Sequence, residues 1–296
     1  MTFDAMDAAP RTLASTRGWA IAHMTLFGVL WAVYLAIARF LPRGYSIFEV
    51  LWGRYALHVA LTLLVIGPVQ GRALVRTTRP GLQLVRGLLM VITSVSAVFA
   101  TAGMSLDGVR AVLWLAPLLV IAADRAVRGT PCRVPVWIAC GVCWIGTILI
   151  LHPSLGRDLR SVGWAVLTAG SFAGYQVLTP NLRSDPATTS VFYSGLITLV
   201  PMSVILPWVW KPLTGRALIV YLGMGVAGWL SLLFLDKALH TMAPGAVAIF
   251  GYVHLVAEVM ITSILSGGAP AWHGMLGCIL ILAGSEVARR DLASLQ

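Results

Sequence analysis

Runs of about 20 mostly apolar residues, long enough to cross roughly 30 Å of hydrocarbon as a helix, recur about ten times along this chain. They lie near 19–40, 46–67, 83–103, 107–125, 134–152, 161–180, 188–210, 216–238, 244–265 and 271–288. Polar or Pro/Gly punctuation separates them: Pro42-Arg43-Gly44, Gly67-Pro68 followed by Arg72, Arg76 and Arg79, Gly129-Thr130-Pro131, Pro153, Ser184-Asp185-Pro186, Lys211-Pro212, Pro244 and Pro270. Each break is short, so neighbouring helices are expected to run antiparallel. The first run follows Arg11 and Arg17 and ends in Ala36-Ile37-Ala38, a cleavage-site lookalike. It exceeds the usual signal-peptide core of about 7 to 15 residues and is read as a retained first span.

Of the 296 residues, 58% are hydrophobic and 11% charged, with a mean hydropathy of +0.87. A soluble domain is roughly 25% charged, so a water-soluble globule is excluded and the bilayer is the solvent for most of the sequence. The formal charge of +10 comes from 21 basic residues scattered between the apolar runs. That distribution fits the basic loops of a membrane protein and not a nucleic-acid interface. With a cytoplasmic amino terminus, about 13 of the basic residues fall inside and about 7 outside, in keeping with the positive-inside rule. Those inside are Arg11, Arg17, Arg72, Arg76, Arg79, Arg86, Arg125, Arg128, Arg133, Arg183, Lys237, Arg289 and Arg290. The expectation is a multi-pass protein of a bacterial-type inner membrane, both termini cytoplasmic. Lipid and a small-molecule substrate are its partners, and self-association is left open.

Weak echoes divide the chain in two. Gly18-Trp19-Ala20 matches Gly163-Trp164-Ala165 and the same offset brings Phe27 onto Phe172; Trp137 and Cys143 match Trp272 and Cys278. They predict five-helix units over 18–152 and 162–288. An odd number of crossings per unit inverts the second copy, and such folds bind ligand near the midplane between halves. The fold class is therefore an all-α membrane protein of ten transmembrane helices arranged as two inverted five-helix repeats.

Within that frame, Glu49-Val-Leu-Trp-Gly-Arg54 opening the second segment, Arg79-Pro80-Gly-Leu-Gln-Leu-Val-Arg86-Gly87 opening the third and Ala116-Pro117-Leu118 in the fourth resemble the EamA-type drug/metabolite transporter superfamily. The ninth segment has Val253-His254 where the family carries a proline, and the Leu-Gly-Glu that ends the fourth and ninth helices is missing from both. The resemblance implies a secondary transporter working by alternating access on amino acids, vitamin-like compounds or organic cations. It implies no one substrate.

Ionisable groups inside a span are expensive, about 2.5 to 3.5 kcal/mol at the centre on insertion scales, and mark candidate function. Arg54 and His58 share a face of the second segment; His254 and Glu258 repeat that spacing in the ninth. Counting ~1.5 Å per residue puts Arg54 about 12 Å and Glu258 about 10 Å below the outer ends of their helices. This predicts an Arg54 to Glu258 ion pair with His58 and His254 beneath it, and makes Glu258 the candidate for proton coupling. His23, a turn from the cytoplasmic end, is read as interfacial.

Among 11 Trp and 7 Tyr, Trp19, Trp137, Trp164, Trp208, Trp210 and Trp272 lie near helix ends as interfacial anchors. Trp31, Trp114, Tyr175, Trp229 and Tyr252 lie deeper, where they either pack helices or stack a flat or cationic ligand. Trp114 shares a helical face with Arg110 and Pro117, and Gln176 adds an uncharged donor and acceptor. The candidate substrate-binding set is thus Trp31, Arg54, Arg110, Trp114, Tyr175, Gln176, Tyr252, His254 and Glu258. Pro117, Pro201 and Pro207 are candidate kinks; Gly170-x-x-x-Gly174, Gly223-x-Gly225-x-x-Gly228 and Gly274-x-x-Gly277 are candidate close contacts.

Other chemistries lack their residues. Lys211 and Lys237 sit in no phosphate-binding loop, and neither G-x-S-x-G nor H-E-x-x-H occurs. Cys132, Cys140, Cys143 and Cys278 include one C-x-x-C within an apolar segment, but no nearby segment provides the further thiolates or imidazoles that zinc would need, and all four are read as reduced packing residues. No cofactor, metal or catalytic residue is expected, and the chain is not read as an enzyme. A channel-like pore, or an intramembrane enzyme acting on lipid-linked substrates, are the competing classes.

Overall fold

The computed structural model describes residues 13–129, 133–152 and 158–294, and all regular structure among them is helical. Arg11, Thr130, Pro131, Cys132 and Pro153, singled out above, lie outside the described residues. In chain order the helices are α1 (Leu13–Ala38), α2 (Ile47–Leu61), α3 (Gly67–Gln70), α4 (Pro80–Ala100), α5 (Leu106–Leu113), α6 (Ala116–Arg128), α7 (Val134–Leu151), α8 (Leu159–Leu178), α9 (Ala187–Val209), α10 (Gly215–Thr241), α11 (Pro244–Val247), α12 (Val253–Ser266) and α13 (Trp272–Ala293).

Among the described residues, eight stretches are long and apolar enough to cross a membrane: Ser15–Ala38, Ile47–Leu74, Pro80–Ala100, Leu106–Arg128, Val134–Leu151, Ala187–Val209, Gly215–Thr241 and Pro244–Ser266. The other two segments read from the sequence are the long but more polar α8 and α13. Helix α8 buries Thr168, Ser171 and Gln176, and α13 ends in Glu286, Arg289, Arg290 and Asp291.

The predicted breaks are built from caps. Ser46, Ser105, Asp158 and Thr214 accept backbone N–H groups at the starts of α2, α5, α8 and α10. Pro80, Pro117, Pro135 and Pro244 occupy first turns, where the missing N–H costs nothing. Gly129 and Gly267 end their helices with φ of 64° and 67°, the left-handed conformation a glycine adopts without a Cβ clash.

Two segments expected to be continuous are interrupted. The fourth stops after Leu113 and restarts at Ala116, because Pro117 can neither donate to the ladder nor fit against the preceding turn. The ninth passes from α11 through a 3-10 turn at Ala248–Tyr252 into α12. The interruptions answer each other: the Tyr252 hydroxyl donates to the Trp114 carbonyl at 2.7 Å. Backbone freed inside hydrocarbon needs such a protein partner. A third irregularity, the π-turn Thr62–Ile66, carries the second segment on to α3. Pro201 and Pro207, by contrast, lie within a continuous α9.

Helix α1 packs on α10 and α12, α4 on α8 and α9, α2 on α9 and α10, and α7 on α13. At the last crossing the backbones nearly touch. A Cβ on Gly277 would stand 2.6 Å from the Gly146 carbonyl oxygen, and one on Gly146 2.7 Å from that of Gly277.

Contacts between loops define the two ends of the bundle. At one, the Tyr45 hydroxyl donates to the Pro212 carbonyl at 3.2 Å and the His152 and His273 rings lie 4.1 Å apart. At the other, Arg17 donates to the Leu292 carbonyl and Arg128 to Asn181. There Asp185 clips the loop before α4 to the loop before α9, accepting from both hydroxyl and amide of Thr78, from Thr77 and from Gln83. Partial burial opposes ionisation of Asp185, but the bonds from Thr77, Thr78 and Gln83 outweigh it and hold the carboxyl below its ordinary range.

Candidate functional site

A cavity of about 230 Å³ lies between α1, α2, α4, α5 and α8. Its rim carries Ile47 and Leu106, 49% and 62% exposed, at the end of the bundle where α2 and α5 begin; its floor is the buried Met90, Leu232 and Phe27. Aromatic walls come from Trp31, Tyr34, Tyr55, Trp114 and Phe172. The lining hydroxyls are already engaged within the protein: Ser94 with Tyr55, Thr93 with Ser171, and Thr168 with Ser96.

The cavity's two charged lining residues, Arg54 and Arg110, live in different surroundings. Arg54 is 7% exposed. Its guanidinium carbon lies 4.7, 4.9 and 5.3 Å from the ring centres of Trp31, Tyr34 and Tyr55. No carboxylate pairs with it among the described residues, and its buried Nε has no hydrogen-bond partner. Gly228 makes room for it, since a Cβ there would stand 3.1 Å from that Nε. Arg110 instead donates to Glu258 and, at 3.1 Å, to Asp107.

The expected Arg54 to Glu258 pair is therefore not formed. Glu258 is held by Arg110 and by Arg39 at 3.4 Å. The depths matched, but α2 packs on α9 and α10 whereas α12 packs on α1, whose Trp31 and Tyr34 occupy the space beside Arg54. Nor do the histidines meet beneath it. His58 Nε2 lies 3.0 Å from the Val191 carbonyl, while His254 stacks on Trp114 with ring centres 3.8 Å apart.

Of the nine candidates, Trp31, Arg54, Arg110 and Trp114 line the cavity. Tyr252, His254 and Glu258 form a layer behind Trp114 and Arg110. Tyr175 and Gln176 lie elsewhere. Gln176 is buried in α8, and the Tyr175 ring covers the Arg86 guanidinium at 4.0 Å while its hydroxyl donates to Asp236 at 3.0 Å. His23, read as lying a turn from the cytoplasmic end, is buried between Trp19 and Phe234. Arg86, counted above with the cytoplasmic basic residues, forms a fully enclosed ion pair with Asp236, both side chains 0% exposed. Its signal was Pro80, which starts α4 three residues earlier than the run near 83 and carries Arg86 almost two turns inside.

Tyr34 and Tyr55 around Arg54 were also missed, as was Glu49. Glu49 is completely buried with neither carboxyl oxygen hydrogen-bonded, near the similarly unpartnered Tyr221 hydroxyl. It stood in plain view in the motif opening the second segment. Cys140 and Cys143 pack in the core, and Cys278 is half-buried.

No protein-family model matches the chain. It is 22% identical over 278 residues to a protein named S-adenosylmethionine uptake transporter from Rickettsia conorii, the match covering 94% of this chain and 93% of that one. The protein of the same name from Rickettsia prowazekii is 21% identical over 247 residues, covering 83% and 84%. A solved crystal structure of a protein without a functional name superposes with a TM-score of 0.79 at 17% identity, covering 94% of this chain and 98% of that one. At that identity the shared property is the fold. The chain is thus similar along nearly its whole length to bacterial membrane transporters of a small metabolite.

Proposed function

We propose that this chain is an inner-membrane secondary transporter of small organic metabolites, S-adenosylmethionine or a chemically related amino-acid derivative among them, working by alternating access. The observation that carries the reading is the aromatic-walled cavity reaching from one end of the bundle to a buried floor, with the Arg86–Asp236 pair enclosed among α4, α8, α9 and α10. A carrier caught with one gate open has this asymmetry, and a continuous pore does not. Full-length similarity to the named transporters supports the substrate class.

The same reading takes α8 and α13 as spans, giving ten crossings, both termini cytoplasmic and inverted halves at 18–152 and 162–288, as in EamA-type carriers. Packing supports it. Exchanging each segment with the one five places away sends the α1–α10 contact onto α8–α4, α1–α12 onto α8–α6, and α2–α10 onto α9–α4, while α2–α9 and α7–α13 map onto themselves. Arg17, Arg72, Arg76, Arg79, Arg128 and Arg133 then lie at the cytoplasmic end. Behind Trp114, His254 contributes by stacking and Tyr252 by tying α12 to the break at Trp114. Glu258 is the switchable countercharge of Arg110 and the route for proton coupling.

The test is counterflow. Purified protein in liposomes preloaded with unlabelled S-adenosylmethionine should accumulate labelled substrate faster than unloaded liposomes. Uptake that preloading does not accelerate would point to a pore, and uptake no greater than in protein-free liposomes would remove this substrate. Glu258→Gln should make flux insensitive to a pH gradient; unchanged sensitivity rules out the coupling role.

A further inference from the structure

We infer that Arg54 is the docking point for a carboxylate on the cargo, so that the cavity selects organic acids of amino-acid type and rejects cations that carry no acid group. The inference rests on the transporter reading and deepens it, by naming the group on the substrate that the protein grips.

Charge accounting in the cavity leads there. Arg54 and Arg110 line it and no acidic side chain does. Arg110 is neutralised from behind by Glu258 and from the rim by Asp107. Arg54 has no carboxylate partner among the described residues, although it is more than nine-tenths buried and its Nε hydrogen meets no acceptor. A buried cation without a carboxylate is costly, and the aromatic rings around it, with the hydrogen bond between Arg54 and the Tyr34 hydroxyl, answer only part of its need. Ring faces attract the positive charge, but the guanidinium's donors form a planar fork that is completed by in-plane oxygen acceptors. A carboxylate supplies two such oxygens at the matching spacing.

The rest of the wall fits the rest of such a molecule. Trp31, Trp114 and Phe172 offer flat apolar surface, and with the lining Ser and Thr hydroxyls engaged inside the protein Arg54 is the lining cation that has no carboxylate partner among the described residues. A quaternary or primary ammonium without an acid group would meet Arg54 as a like charge. The aromatic wall alone is therefore not an organic-cation cage, because its cation is built in.

Acids paired with carboxyl-deleted counterparts test this in thermal-shift titrations of the purified full chain. The pairs are S-adenosylmethionine with decarboxylated S-adenosylmethionine, methionine with methioninamide, and tryptophan with tryptophanamide. The expected result is that in every pair that binds, the acid binds roughly tenfold or more tightly than its counterpart. Arg54→Gln should abolish that preference and Arg54→Lys should keep part of it. Equal binding within the pairs, preference retained in Arg54→Gln, or no stabilisation by any acid at millimolar concentration would each overturn the inference. Should Arg54→Gln fail to fold, the wild-type pairs and Arg54→Lys still decide it. Preference shown by another acid while S-adenosylmethionine does not bind would overturn that substrate alone; equal binding of S-adenosylmethionine and its decarboxylated form would overturn the Arg54 role alone.

Discussion

Asp236→Asn should be among the most damaging single-atom changes available in this protein. Arg86 donates from Nε to Thr179 at 2.9 Å, from Nη1 to the Ser190 carbonyl at 3.1 Å and Ser194 at 2.9 Å, and from Nη2 to Tyr175 and Asp236. Asp236 alone among these brings negative charge. The Asn variant keeps the shape and the neutral acceptors but strands a guanidinium with no exposure to solvent. Breaking one side of a buried pair costs about 3 to 5 kcal/mol, and the four retained bonds place this case near the lower end, about 3 kcal/mol. Removing both charges with Arg86→Met and Asp236→Leu should restore most of the loss. Thr179 and Ser194 would remain satisfied, since their hydroxyls already donate to the carbonyls of Tyr175 and Ser190. Equilibrium unfolding in mixed micelles, followed by tryptophan fluorescence on wild type, both singles and the double, gives the cycle. An Asp236→Asn loss under about 1 kcal/mol, or a double mutant as unstable as the sum of the singles, would refute the assignment of the pair as a mutually dependent lock.

Other parts of the molecule give sharper contrasts. Asp185 has a folded-state pKa depressed below its unfolded value, so its stabilisation is present above that unfolded value, near pH 4, and is lost as pH falls through the folded one. The protection factor of the Thr78 amide, its exchange rate corrected for the intrinsic pH dependence, should fall over that acidic window in wild type, and be low and independent of pH in Asp185→Asn. Gly277→Val forces a side chain against the Gly146 carbonyl and should cost about 1 to 3 kcal/mol or prevent folding. Gly274→Val, three residues away with nothing within 4 Å of its added Cβ, should leave the melting temperature near that of wild type. Glu49→Met removes a buried carboxyl with no hydrogen-bond partner and should raise the melting temperature, whereas Glu258→Met breaks two ion pairs and should lower it.

What could be read in advance divides along the helix axis. Segment lengths and breaks were legible because hydrocarbon thickness dictates the first, and proline and capping chemistry the second; the caps at Ser46, Asp158 and Thr214 stand where polar breaks were expected. Depth was legible too, because rise per residue is fixed. It singled out Glu258 for an ion pair with an arginine, but chose Arg54 where the fold supplies Arg110. Pro117 marked the fourth segment as a candidate kink in advance, but the interruption at Ala248–Tyr252 escaped notice because hydropathy registers side chains, whereas its place in the fold depends on the Tyr252 hydroxyl finding the Trp114 carbonyl on a remote segment. Arg86 escaped for a related reason: a cation near a span end looks like a loop residue until Asp236, 150 positions later, is known to face it. In each case the missing quantity was lateral, namely which helix stands beside which. That dependence explains why a charged group in a membrane sequence can be marked as important before its role is known. Its cost is set by depth, which the sequence carries, and its purpose by its neighbour, which belongs to the packing. Arg54 is the residue where the two diverge most. Its depth demands a partner, the packing supplies aromatic rings without a carboxylate, and the residue left so lines a cavity.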